Sequence, residues 1–179
     1  MSILLHNEIK EAIEKNDIYM HPKVMEHISV NSVDVTLSNQ LKIYTTEILD
    51  MKSRNSTRTI EIPEEGYILQ PGELYLGMTN EAIGSDVYVP MYEGRSSMAR
   101  LGIQSHISAG FGDLGFMSNW TLEITVVKPV KIYPNIRIGQ VYFHKPELGS
   151  YVNKFYHGKY TNQKNPQESK SYLDFKGNK

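Results

Sequence analysis

Ile60-Glu-Ile-Pro-Glu-Glu-Gly-Tyr-Ile-Leu-Gln-Pro-Gly-Glu-Leu-Tyr-Leu76 carries three short apolar runs divided by two turn signals. Ile60–Ile62, Tyr67–Leu69 and Leu74–Leu76 are rich in β-branched, leucine and aromatic side chains and suit strands of a few residues. Pro63-Glu-Glu-Gly66 and Pro71-Gly72 separate them, proline presetting φ and glycine supplying the left-handed conformations that turns need. The same pattern extends both ways. Val33, Val35 and Leu37 alternate, and Leu41, Ile43 and Tyr44 resume after Ser38-Asn39. Val87–Val89, Leu122–Ile124, Val130–Ile132 and Val141–Phe143 follow, with a turn at Pro134-Asn135. Many short strands joined by turns predict a mainly β sandwich or barrel-like domain, not a βαβ fold. Only the start differs: Leu5, Ile9, Ala12 and Ile13 recur at helical spacing between charged residues, with Asn7 the expected N-cap and Asn16-Asp17 the stop.

The 179 residues suit one domain with a tail. Hydrophobic residues at 40% and charged residues at 22% describe an ordinary globular chain. Nineteen basic residues against twenty acidic ones leave a net charge of −1, which argues against a basic coat for nucleic acid. No apolar run reaches the ~18–20 residues of a membrane helix, and no signal-peptide pattern opens the chain, so the expectation is a soluble, cytoplasmic protein. The absence of cysteine excludes a disulfide framework, a thiol nucleophile and thiolate-bound zinc. The six histidines show no metal-ligand spacing. From Tyr151 to Lys179 six lysines face only Glu168 and Asp174, the composition of a solvated tail.

Three clusters carry chemistry. Glu93-Gly-Arg-Ser-Ser-Met-Ala-Arg-Leu-Gly102 offers two guanidiniums, two hydroxyls and a small leading residue, which suit a phosphate cradle or, equally, a polar helix start capped by Ser96 or Ser97. His106-Ile-Ser-Ala109-Gly110-Phe111-Gly112-Asp113-Leu114-Gly115-Phe116 is a glycine-bracketed turn that presents Asp113 to a ligand hydroxyl or lets it cap its own turn. In Trp120–Val126, Glu123 shares a face with Thr121 and Thr125, opposite Leu122, Ile124 and Val126. Such a glutamate is commonly a solvent-face residue and acquires a role only if that face is a cleft.

Together these stretches resemble the dCTP deaminase branch of the dUTPase superfamily over nearly the whole chain. Asn31-Ser-Val-Asp-Val-Thr-Leu37 is similar to the family's entry strand, Glu93–Gly102 to its EGRSSLARLG signature, and His106–Phe116 to its glycine-bracketed aspartate. Trp120–Glu123, Ile138-Gly-Gln-Val-Tyr-Phe143 and Lys159-Tyr-Thr-Asn-Gln163 to Lys170 follow in order. Six ordered matches at the right spacing outweigh the plain reading of each cluster alone. Departures occur at Gly112, Ser118, Asn165, Gln167 and Lys170.

The resemblance implies a distorted jelly-roll-like β-barrel with a short N-terminal helix and a flexible C-terminal lid, divided as a domain over 1–158 and a lid over 159–179. It implies a homotrimer with sites between subunits and hydrolytic deamination of dCTP to dUTP and ammonia. A bifunctional enzyme that carries dCTP on to dUMP and pyrophosphate, a plain dUTPase, and a nucleotide-binding regulator without chemistry are the alternatives. The roles implied are catalysis for Glu123, Ser96 and Arg100, with Arg100 keeping Glu123 ionised, and substrate binding for Arg95, Ser97, Ala109, Asp113, Phe116, Lys159 and Gln163. Phe116 would pack on the sugar and Lys159 and Gln163 would close on the phosphates. His106 matches a position tied to dTTP feedback, Mg²⁺ would arrive with the triphosphate, and no protein-bound zinc is expected.

Overall fold

The computed structural model describes residues 2–147 and 154–175, so part of the basic tail, including Lys176 and Lys179, lies outside the described residues. The strands pair antiparallel throughout the described residues. One sheet is built on β12 (Arg137–Lys145), which pairs along one edge with β8 (Val89–Gly94) and along the other with β3 (Val33–Thr36) and β1 (Ser2–Ile3). The second runs β5 (Thr57–Glu61), β4 (Gln40–Tyr44), β7 (Tyr75–Ser85), β10 (Ser118–Val126) and β9 (Ile103–Gln104), with β2 (Ile18–His21) on the far part of β7. β6 (Tyr67–Leu69) and β11 (Val130–Ile132) make a separate ribbon. The outcome is a curled, mainly β half-barrel with a short N-terminal helix, the expected class.

Both sheets feed one core. Val33, Val35, Val141 and Phe143 from the first meet Ile83, Leu122 and Ile124 from the second, all nearly inaccessible to solvent. Burying each such side chain contributes roughly 1.5–3 kcal/mol. Helix α1 (His6–Glu14) adds Ile9, Ala12 and Ile13 to this core. Its N-cap is Leu5, not the expected Asn7: the Leu5 N–H donates to the Glu8 carboxylate at 2.9 Å, so a side chain reaching back satisfies the helix start. Asn16, at φ 62°, turns the chain out of the helix.

The turn signals hold. Gly66 sits at φ +93°, and a Cβ there would lie 2.8 Å from the Ile132 carbonyl, so that turn requires glycine. Two strand expectations need correction. The run expected from Val87 begins at Val89, because the Ser85 hydroxyl accepts the Val87 and Tyr88 N–H groups and folds those residues into a turn. The run expected at Leu74–Leu76 belongs to an 11-residue strand, β7. Its extension is masked by Thr79-Asn80-Glu81, which look like loop but are polar groups satisfied internally. Glu81, 2% exposed, accepts the Thr36 N–H at 2.7 Å and the Thr36 hydroxyl at 2.8 Å.

Candidate active site

Along β10 the alternation read from sequence is realised: Trp120, Leu122, Ile124 and Val126 are buried, while Thr121, Glu123 and Thr125 occupy the opposite face. That face is a cleft. Glu123 and Thr121 line a cavity of about 720 Å³, a size that fits a small-molecule ligand. The strand register places Glu123 beside Leu76 of β7, and Leu76 beside Lys42 of β4, so these three share one face of the sheet. Burial pushes the Glu123 carboxyl up, while the Ile107 N–H and the His106 imidazole pull it down by smaller amounts. A carboxyl raised toward neutrality can both accept and return a proton at working pH.

The glycine-bracketed segment forms the wall above Glu123. Ala109, Asp113 and Phe116 all line the cavity. Asp113 opens a turn closed by the Phe116 N–H donating to its carbonyl at 3.1 Å, and Gly115 occupies the left-handed region at φ +85°. Phe116 is held edge-on between Trp120 (5.5 Å between centroids) and Tyr156 (5.6 Å). Gly112, where the family pattern has an apolar residue, is explained by that tryptophan: a Cβ there would fall 2.5 Å from Trp120 Cη2. Behind the wall, His106 packs edge-on against Tyr92 at 5.4 Å and faces Glu93 at 3.4 Å.

The tail forms the roof. Lys159 and Gln163 line the cavity as expected, but both are engaged. The Lys159 ammonium pairs with Asp174. Gln163, 8% exposed, accepts the Thr121 hydroxyl at 2.9 Å and donates to the Asn119 carbonyl at 3.1 Å. Its side chain therefore fastens the roof to β10. Ser118, another departure from the family pattern, donates its hydroxyl to the Gln163 carbonyl at 3.1 Å. The solvated-tail composition of residues 151–179 thus gives way, over the described residues 154–175, to a strap with polar partners on the sheet. Sequence reasoning missed Tyr44, Trp120, Tyr156 and Tyr160, which also line the cavity. Trp120 and Tyr160 fall inside the matched stretches Trp120–Glu123 and Lys159–Gln163, whereas Tyr44 and Tyr156 carried no signal beyond being aromatic.

The second helix, α2 (Ser96–Arg100), stands apart. Arg95 is its N-cap and lies 3.4 Å from the buried Asp34, which also receives Arg137 at 3.2 Å. Ser96, Ser97 and Arg100 are exposed, and Arg100 donates to the Ser96 carbonyl at 3.1 Å. Among the described residues, none of these four lines the cavity. Within one chain Arg100 is therefore not the group that acts on Glu123; Ile107 and His106 are. Nor do Ser96 and Ser97 cap the helix: no side-chain cap is present. Among the described residues, no group of three or more histidine, aspartate or glutamate side chains is arranged to hold a metal ion. No helix among them is long and apolar enough to cross a membrane.

Comparison with known proteins places the chain in a family. The dCTP deaminase-like family model matches residues 3–146. A Clostridium beijerinckii protein named "dCTP deaminase, dUMP-forming" is 47% identical over 97% of this chain and 98% of its own. Proteins of the same name from Clostridium botulinum and Cytophaga hutchinsonii are 50% and 45% identical over the same shares. The crystal structure of 2'-deoxycytidine 5'-triphosphate deaminase from Agrobacterium tumefaciens superimposes with a TM-score of 0.64 at 15% identity, covering 80% of this chain and 48% of that one, a likeness of fold. With a family model spanning most of its length and relatives near half identity end to end, the chain belongs to the dCTP deaminase-like family.

Proposed function

We propose that the protein hydrolyses the C4 amino group of dCTP and carries the deaminated nucleotide on to dUMP and pyrophosphate. The observation that supports this most is Glu123: a half-buried carboxyl, raised by desolvation, facing a cavity of nucleotide size. Glu123 takes a proton from the water that adds to C4 and delivers it to N3 as the tetrahedral centre forms. The added hydroxyl then yields its proton through Glu123 to the amino group, which departs as ammonia as the C4 carbonyl is made. Asp113 and Phe116 line the sugar side, and the roof excludes water. Ser96 and Arg100 are supplied by a neighbouring copy in a homotrimer, which completes the site that one chain leaves open. Mg²⁺ enters as part of the Mg–dCTP substrate.

The second step is favoured by the shared name of the relatives, whose product is dUMP. Release of dUTP, the first expectation from sequence, is the competing reading. Chromatography after incubation with Mg–dCTP separates them: dUMP and pyrophosphate without accumulating dUTP support the proposal, and accumulating dUTP overturns its second half. Glu123→Gln should bind dCTP but lose turnover by about 10²–10⁴-fold, the usual contribution of a general acid–base. The same assay at saturating dTTP tests feedback through the segment headed by His106; undiminished rates exclude it.

A further inference from the structure

The strap carries a buried carboxylate that the chemistry above does not use. Glu168 is 8% exposed, and its two carboxylate oxygens accept Lys42 Nζ and Arg54 Nη2, each at 2.8 Å. The cations come from different elements, Lys42 from β4 and Arg54 from the β4–β5 connection. Lys42 lies in the register row that leads through Leu76 to Glu123. On either side of Glu168 the strap touches the cavity floor: the Gln167 N–H donates to the Thr121 hydroxyl at 3.2 Å, and the Ser169 N–H to the Tyr44 hydroxyl at 2.9 Å. Gln167, Ser169, Thr121 and Tyr44 all line the cavity.

We infer that Glu168 is the positioning residue of the roof, a two-cation latch that holds the strap across the cavity opposite Glu123. It touches no reacting atom. A carboxylate desolvated beside two cations is secured by both, and removing its charge leaves the largely buried Lys42 ammonium without this partner and frees the exposed Arg54 to solvent, which loosens the segment. The lysine and arginine hold the carboxyl at about 2, so the latch is charged at any working pH and acts as a fixed fastening. Its effect on substrate follows from population: if the closed strap falls from nearly all molecules to about one tenth, apparent affinity drops about tenfold while the chemistry of the closed form is unchanged.

The inference rests on the reading that this cavity is where dCTP reacts, and the test separates the two. Amide hydrogen exchange at Gln167 and Ser169 is compared between wild type and Glu168→Gln without nucleotide, alongside kinetics on Mg–dCTP. Faster exchange at both amides, with KM raised about tenfold and kcat changed much less, is the expected result. Lys42→Met should reproduce it in part, since Arg54 still holds one oxygen. Unchanged exchange overturns the latch, and faster exchange with unchanged KM overturns its role in holding substrate. If wild type proves inactive on dCTP while exchange still responds to Glu168→Gln, the functional reading falls and the latch stands.

Discussion

Gly112→Val should separate packing of the cavity wall from its chemistry. A Cβ at residue 112 would lie 2.5 Å from Trp120 Cη2, 2.8 Å from Pro90 Cγ and 2.9 Å from the Pro90 carbonyl oxygen, against about 3.4 Å for an ordinary contact. The wall cannot retreat freely, because the Gly112 N–H donates to that carbonyl at 2.9 Å. The tryptophan is no freer: its Nε1–H donates to the Ile83 carbonyl at 2.9 Å, and it stacks on Tyr92 at 6.1 Å. One of them must move by about 1 Å, an overpacking that costs roughly 1–3 kcal/mol. For a chain of this size a 2 kcal/mol loss lowers Tm by roughly 4–8 °C. Trp120 also supports Phe116, so a shift of that size should lower turnover by up to about 10²-fold. Trp120→Leu removes the obstructing ring, and in the double variant the two losses should fall short of their sum by about 1–2 kcal/mol. Thermal and urea unfolding at matched protein concentration measure all four species. The reasoning fails if Gly112→Val melts within a degree of wild type, or if the double variant loses the full sum.

Two further outcomes are expected. Burial raises the Glu123 carboxyl, and the proposed base works only when ionised, so kcat/KM should fall on the acid side through an apparent pKa above the ordinary 4.5; an acid limb at or below that value would contradict the desolvated site. If neighbouring copies share the site, inactive Glu123→Gln and inactive Arg100→Ala chains, co-assembled in equal amounts, should recover about one quarter of wild-type activity, because about a quarter of the interfaces join an intact glutamate to an intact arginine. No recovery in a verified mixed assembly would place both residues in a site built by one chain.

Much of this was legible because it is local. Alternation put Glu123 opposite Leu122 and Ile124, and a strand obeys that period whichever sheet it joins. The glycines around Asp113 marked a turn because few other residues accept its dihedrals. The losses were of two kinds. β7 was cut short because Thr79 and Glu81 look like loop until their buried partners are known. Composition alone describes the roof as a tail, and only the resemblance suggests a lid, because its fastenings lie far away in sequence: Glu168 meets Arg54 and Lys42 across 114 and 126 residues, and no period or spacing announces such a pairing. Glu168 also falls on an unspecified position of the family's tail pattern, so the resemblance offered nothing there. The position of α2 off the cavity is likewise invisible in a signature that reads Glu93–Gly102 as one cluster.

If neighbouring copies complete the site, charge supplies a reason. Of the residues lining the cavity, Asp113 and Glu123 are acidic and only Lys159 is basic, and Lys159 is occupied by Asp174. A triphosphate would enter a cavity with net negative walls, and its desolvated oxygens would lack partners. The other cations lie elsewhere on the same chain: Arg95 and Arg137 share the buried carboxylate of Asp34, Arg100 donates to the Ser96 carbonyl on α2, and Glu93 is turned to His106. These guanidiniums sit off the cavity, whose own lining carries two carboxylates against one lysine. Copies joined face to opposite face would bring the arginines to the cavity mouth, and such a head-to-tail contact is the kind that closes into a ring. Joined in this way, the arginines and the Mg²⁺ carried by the nucleotide would supply the positive charge around the carboxyl of Glu123, which burial raises.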